Sequence, residues 1–214
     1  MKNKKALIIV DVQYDFLPNG NLAVAGGDEV IPVINELVKK FDLVIFTQDF
    51  HPANHESFAS QHEGKSPFEK IKLNGEDQIL WPDHCIQRTR GCSIHESVMY
   101  NPELAEKRFY IFKKGLDQEV DSYSGFYDNG RAHSTGLNEF LQDEGVESLY
   151  ITGLALDYCV AWTAKDAVKL GFETFVVLDG TKSIDPEYST SDMEISGIKI
   201  IQSQDVSLNQ DKIS

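Results

Sequence analysis

No stretch of this 214-residue sequence approaches the roughly 20 apolar residues that a membrane-crossing helix needs. A membrane partner is therefore not expected. Residues 1–5 are basic, but the apolar run after them is short and closes on Asp11. A signal peptide carries a longer apolar region and a small-residue cleavage site, so a cytoplasmic location is the expectation. Positive charge is also scarce. Twenty Lys and Arg stand against 34 Asp and Glu, for a net charge of −14. That argues against a nucleic-acid partner, which requires a basic face, and leaves the charge to serve solubility. Cysteine is sparse: Cys85, Cys92 and Cys159 make an odd count with no C-x-x-C pair, which argues against a disulfide framework. No internal repeat, low-complexity tract or composition shift marks a linker. One domain over 1–214 is the expectation, and that length, with 41% hydrophobic and 10% aromatic residues, suffices for a sizeable core.

What is present is an alternation of continuous apolar runs with amphipathic segments. Residues 5–11, 43–47, 108–113, 147–152, 172–178 and 198–202 read as strands. Residues 26–41 read as a helix with Val30, Ile34, Leu37 and Val38 on one face, and 133–144, 157–170 and 186–196 as further helices. Strands of unbroken Val, Ile, Leu and Phe belong to parallel sheets covered on both faces. With right-handed crossovers, the expected fold is α/β, a three-layer α/β/α domain with a doubly wound, mainly parallel six-stranded sheet in the order 3-2-1-4-5-6. Residues 48–101 read as a long irregular stretch with short helical pieces, a length that usually signals function. The tail from Ser203 is polar and expected to fray.

Cys159 follows one apolar strand and sits near the start of a helix. Free N–H groups and the helix dipole at such a place favour a thiolate, and the carboxyl ends of parallel strands are where ligands bind. The alternative is a small buried hydrophobe. Asp11 closes the first strand and Lys113-Lys114-Gly115 closes the third. The expected strand order makes strands 1 and 4 neighbours, so an acid, a lysine and a cysteine would meet at one sheet edge. Asp11 could then take the thiol proton while a lysine holds it ionised. Ordinary strand-end charges are the plainer explanation for either lysine.

The irregular stretch carries Gln48-Asp49-Phe50-His51-Pro52 and Trp81-Pro82-Asp83-His84-Cys85. Asp49 and His51 alternate just past a strand, so both side chains can face one way. His84 could complete a set of two histidines and one carboxylate, which leaves coordination positions open and suits Zn, Fe or Mn. Ser57 could add an oxygen directly or through water; His55, His62 and His95 are rivals, and solvated loop histidines are the alternative. Phe16, Trp81 and Tyr123 fall in the same regions and could flank a flat ring, though each could equally be core.

Taken together, these segments resemble the nicotinamidase/pyrazinamidase group of the isochorismatase-like cysteine hydrolases. The resemblance runs from Leu7-Ile8-Ile9-Val10-Asp11-Val12-Gln13 through Thr47-Gln48-Asp49-Phe50-His51-Pro52, Asn54-His55-Glu56-Ser57-Phe58 and Trp81-Pro82-Asp83-His84-Cys85. It continues in Lys114-Gly115, Ser122-Tyr123-Ser124-Gly125-Phe126 and Gly153-Leu154-Ala155-Leu156-Asp157-Tyr158-Cys159-Val160. Two departures are Phe50, where many relatives carry Trp, and Leu156, often Thr.

The resemblance implies a single isochorismatase-like hydrolase domain with an Asp11, Lys114 and Cys159 triad. It picks Lys114 over Lys113, because the lysine of the group directly precedes the glycine. It implies a divalent ion, Zn first with Fe or Mn as alternatives, on Asp49, His51 and His84 with Ser57 as a weaker or water-mediated fourth ligand. Phe16, Trp81 and Tyr123 would line a pyridine pocket. A cis peptide between Leu154 and Ala155 is implied too, with the Ala155 and Cys159 N–H groups forming an oxyanion hole. The activity implied is hydrolysis of nicotinamide to nicotinate and ammonia through a thioester, with pyrazinamide as a side substrate and a place in NAD salvage and pyridine nucleotide biosynthesis. A homo-oligomer is compatible with this reading. One rival is another amidase of the superfamily acting on an N-carbamoyl-amide or ureido substrate, which has no need of Asp49, His51 and His84. Another is a non-catalytic metal-binding or regulatory module on the same fold.

Overall fold

The computed structural model describes residues 4–207. Residues 1–3 and 208–214 lie outside it, and with them part of the basic start and much of the tail expected to fray. Six strands form one parallel sheet: β1 Lys5–Val10, β2 Leu43–Asp49, β5 Arg108–Lys114, β6 Ser148–Leu154, β7 Glu173–Lys182 and β8 Lys199–Ile201. Their order is β5-β2-β1-β6-β7-β8, which counts along the chain as the expected 3-2-1-4-5-6. β1 lies between β2 and β6, with Ile9 beside both Phe46 and Thr152.

The alternation along β1 builds two cores. Leu7 and Ile9 face one layer with Val30, Ile34, Leu37 and Val38 of α1 (Val30–Val38). Ala6, Ile8 and Val10 face the other with Leu137 and Leu141 of α3 (Leu137–Asp143) and Ala164 and Ala167 of α4 (Ala161–Lys169). A strand with apolar residues on both faces must be covered on both, which gives the three layers. Among the described residues, no helix is long and apolar enough to cross a membrane.

Several boundaries differ from the sequence reading. The stretch 48–101 contains an antiparallel hairpin, β3 Lys70–Leu73 and β4 Glu76–Ile79, and a single turn of helix, α2 Glu96–Met99. Both strands are short and mostly polar, so no apolar period betrays them. The Asn74-Gly75 turn does, since both residues take positive φ (51° and 91°), as an Asn-Gly hairpin requires. The helix expected over 133–144 starts only after Gly136, which holds φ 85°. The one expected over 186–196 shrinks to α5, Ser191–Ile195. The segment 157–170 divides into a π-turn, Leu156–Val160, and α4. Residues 203–205 form a 3-10 turn rather than fraying, because Gln202 and Asp205 cap each other and Ser203 bonds Asp179 through both N–H and hydroxyl.

The carboxyl ends of β1, β2, β5 and β6 converge on one edge. Val10 pairs with Gly153, and Asp49 with Lys114. Gly153 has φ 107°, and a Cβ there would lie 2.1 Å from the Val10 carbonyl oxygen, so no other residue lets β6 pass β1 this closely.

Candidate active site

Asp11 is the first residue beyond β1 and is fully buried, with φ 47°. The Thr47 hydroxyl on β2 donates to its Oδ1 at 2.6 Å. Lys114 ends β5, and strand alternation turns its side chain inward, whereas Lys113 lies over the Phe50 ring at 3.8 Å. Lys114 Nζ donates to Asp49 Oδ1 at 2.5 Å, to the Ser122 carbonyl at 2.8 Å and to Cys159 Sγ at 3.3 Å. These three bonds use its three protons. It also forms a buried ion pair with Asp11 Oδ2 at 3.0 Å, and that oxygen keeps a lone pair open. Asp11, Asp49 and Cys159 offer polar atoms all within 4.8 Å of one another.

Electrostatics here oppose the thiolate that a helix start would favour. Burial raises the Cys159 thiol well above its usual value against the pull of Lys114, and Asp11 and Asp49 push it further up. Burial also raises Asp11, against Lys114 and with the help of Asp49. Asp49 is held well below the carboxylate range, because Lys114 and His51 outweigh its burial. Asp11 and Asp49 together outweigh the burial of Lys114 and keep it charged. The resting nucleophile is thus a protonated thiol beside an oxygen with an open lone pair.

Asp49 ends β2, and the chain beyond it lies alongside 85–87: the His51 N–H donates to the Cys85 carbonyl at 3.0 Å. That contact delivers His84 to the same spot. His51 Nδ1 faces the Gly115 carbonyl at 3.0 Å and His84 Nδ1 faces the Pro82 carbonyl at 2.8 Å. A carbonyl only accepts, so each Nδ1 carries a proton, which makes Nε2 the ligating nitrogen of the neutral ring. The two Nε2 atoms point toward Asp49 Oδ2, at 3.6 and 3.9 Å. A carboxylate oxygen and two imidazole nitrogens are a donor set for a divalent cation, and the three residues fit one. Burial and the neighbouring His51 bring His84 down to about 4, which keeps it a neutral ligand. Burial works against a charged His51, and Asp49 more than offsets it. Gly115 is required here, since a Cβ on it would lie 2.3 Å from the His51 ring.

One cavity joins the two groups. Its lining includes Cys159 and Ala155, Asp49 and His84, and the rings of Phe16, Trp81 and Tyr123. Phe16 meets His84 edge-on at 5.5 Å, and Trp81 Nε1 donates to the Tyr123 hydroxyl at 3.2 Å. The Leu154–Ala155 peptide is cis. An isochorismatase-domain family pattern matches residues 5–204. The chain belongs to the isochorismatase family.

Its relatives in this family are close. The nicotinamidase of Acinetobacter baylyi is 45% identical over 208 residues, 95% of each chain. The solved nicotinamidase/pyrazinamidase of Acinetobacter baumannii superposes with a TM-score of 0.89 at 44% identity, covering 97% of this chain and all of that one. The pyrazinamidase of Pyrococcus horikoshii, solved in complex with zinc, superposes with a TM-score of 0.72 at 35% identity, covering 93% and 99%.

Not every expected site residue of this isochorismatase-family chain joins the cluster. The Ser57 hydroxyl and backbone N–H both point at His55 Nδ1, at 2.7 and 3.1 Å, and the hydroxyl oxygen keeps its lone pairs. His62 binds the Glu56 carbonyl, and His95 accepts the Ser97 N–H as the cap of α2. Three contributors escaped the sequence reading: Thr47, Asp121 and Gln78. Asp121 lines the cavity and accepts from Ser122 N–H at 2.7 Å and Gln78 Nε2 at 3.1 Å. Gln78 sits on the unforeseen β4, and Asp121 in a loop without periodicity, so neither had a pattern to reveal it.

Proposed function

We propose that the protein hydrolyses nicotinamide to nicotinate and ammonia. The observation that carries this is the shared cavity, whose lining includes Cys159 together with Asp49 and His84. A pyridine carboxamide has the matching layout, a reactive carbonyl on one side and a ring nitrogen on the other. The names of relatives at 45% and 44% identity support the same substrate class.

Asp11, through its open Oδ2, takes the thiol proton as sulfur attacks the carboxamide carbon. Lys114, 3.3 Å from the sulfur, offsets the charge that develops there. The Ala155 and Cys159 N–H groups hold the oxyanion. Asp11 returns the proton to the nitrogen, the C–N bond breaks, ammonia leaves and a thioester to Cys159 remains. Asp11 then takes a proton from water as its oxygen adds to the acyl carbon, and nicotinate leaves as the thiol is restored. Phe16, Trp81 and Tyr123 hold the ring flat, so the carbonyl meets the sulfur in a productive orientation. A divalent ion bound by Asp49, His51 and His84 supplies a Lewis-acid anchor for the ring nitrogen, with zinc first and Fe or Mn suited to the same donors. Zinc in the Pyrococcus horikoshii pyrazinamidase supports that choice. Pyrazinamide offers a ring nitrogen in the same place and is a second substrate on this reading.

The histidine–carboxylate group separates this reading from an N-carbamoyl-amide or ureido hydrolase, which needs none. The same reading makes 1–214 one hydrolase domain acting in the cytoplasm on a small molecule. Ammonia release from nicotinamide by the zinc-loaded protein tests it, and a protein that releases none overturns it.

A further inference from the structure

His55 is fully buried against His51, with ring centroids 4.4 Å apart. Its tautomer is decided by Ser57. The Ser57 backbone N–H donates to His55 Nδ1 at 3.1 Å, so that nitrogen carries no proton, and the Ser57 hydroxyl donates to it as well at 2.7 Å. The proton therefore sits on Nε2. Nε2 has no hydrogen-bond partner among the described residues, although it is out of solvent. A protonated nitrogen is not a metal ligand. His55 thus differs from His51 and His84, whose Nδ1 atoms carry a proton and whose Nε2 atoms face Asp49, even though it lies beside them. A buried N–H without an acceptor is costly, and this one needs an oxygen.

Asp121 is the nearby acceptor. One atom each of His51, His55 and Asp121 lie within 4.8 Å of one another. Two hydrogen bonds of about 2.8 Å meeting at a water span about 4.6 Å, so groups gathered within that limit are in reach of one bridging water. Each Asp121 oxygen already accepts one N–H, from Ser122 and from Gln78, and each keeps a lone pair. Asp121 also lines the cavity that Asp49 and His84 line.

We propose that His55 and Asp121 together hold a water at the rim of the Asp49, His51 and His84 group, as positioning residues that act on a bound cation through that water. The proposal rests on the reading of those three residues as a metal site. The His55 N–H fills one lone pair of the water and Asp121 takes one of its protons. The remaining lone pair is then fixed in direction, and the carboxylate makes the oxygen a stronger donor to the cation. Ser57 enters only through His55, by setting its tautomer.

The test is zinc affinity, measured by competition with a chromogenic chelator, with thermal unfolding of the metal-free proteins as a control for folding. His55→Ala and Asp121→Ala are expected to weaken zinc by about 10- to 100-fold, as loss of a ligand's supporting partners does. His55→Gln, which keeps an N–H donor, is expected to recover most of that loss, whereas a merely space-filling role would give no such rescue. Asp121→Asn, nearly isosteric, serves if Asp121→Ala does not fold, and is expected to fall between. Wild-type zinc affinity in folded His55→Ala and Asp121→Asn overturns the proposal. So does a zinc-loaded crystal structure with no water touching both His55 Nε2 and Asp121. If the variants lose zinc as expected but the wild type releases no ammonia from nicotinamide, the water site stands and the proposed reaction falls. A wild-type chain that takes up no zinc overturns both.

Discussion

Asp49 and Lys114 face each other across the last rung of the β2–β5 pairing, and Lys114 Nζ lies 2.5 Å from Asp49 Oδ1. The two oxygens of Asp49 therefore serve different partners, Oδ1 the lysine and Oδ2 the two histidine nitrogens. Lys114 in turn touches Asp11 and Cys159. One buried amine thus couples the nucleophile to the ligand group. Two carboxylates against one ammonium leave a negative surplus in the interior, which a cation held at the histidines would offset.

Removing that amine should cost stability as well as activity. Lys114→Ala leaves Asp11 and Asp49 as buried carboxylates without a counter-charge. Breaking a buried pair in this way costs about 3–5 kcal/mol. In a domain of this size that lowers the unfolding midpoint by roughly 10 °C, at about 2–4 °C per kcal/mol. Calorimetry of the variant at neutral pH checks it, and an unchanged midpoint would contradict the arrangement of charges described above.

Cys159→Ala should separate binding from chemistry. The sulfur lines the cavity, whereas the proposed ring and metal contacts come from other side chains, Phe16, Trp81, Tyr123, Asp49 and His84. Turnover is expected to fall by about four orders of magnitude or more, as when a nucleophile is removed from a coupled triad. Nicotinamide affinity, measured by calorimetric titration of the zinc-loaded variant, should stay within a few-fold of the wild type. Ammonia release near the wild-type rate would remove Cys159 from the mechanism.

The sheet was readable in the sequence because its strands are continuous apolar runs, and parallel crossovers leave few topologies for them. The strand order then brought Asp11 and Cys159 together without any coordinates. Lys113 and Lys114 were not separable by spacing, since which one turns inward depends on where the strand ends. The resemblance chose Lys114, and the register of β5 with β2 places it beside Asp49. Ser57 shows the opposite case. Its position near Asp49 and His51 in the chain suggested a ligand oxygen, whereas the contact the structure shows, its hydroxyl directed at His55, is a short-range side-chain contact that leaves no periodic trace. The environment of Cys159 was hidden for a related reason. The dipole of a helix start is visible in a sequence, whereas the burial and the two carboxylates, Asp11 and Asp49, that raise the thiol are brought together only by the fold.

Metal removal should act on substrate binding before it acts on the nucleophile. His51→Ala deletes an Nε2 from the donor set. The variant is expected to lose bound zinc by elemental analysis and to bind nicotinamide far more weakly, because the ring nitrogen loses its anchor. Alkylation of Cys159 by iodoacetamide should still occur, since the sulfur and its neighbours remain. Unchanged nicotinamide affinity in a zinc-free variant would take the metal out of substrate binding.

The acid limb of the pH profile should report Asp11, and Thr47 should set its position. Asp11 must be ionised to accept the thiol proton, so kcat/KM should fall as pH drops through its pKa. Burial raises that value above the ordinary 3.8, which places the limb higher than a free carboxylate would. The Thr47 hydroxyl, 2.6 Å from Asp11 Oδ1, bonds the ionised form and holds the value down. Thr47→Val has nearly the same shape and lacks the donor. It should therefore move the acid limb upward, by up to about one pH unit if the bond contributes about 1.4 kcal/mol to the ionised form. Cys159 is held as a thiol by burial, so the alkaline side should show no matching displacement. Superimposable wild-type and Thr47→Val profiles would mean that the proton acceptor is some group other than Asp11.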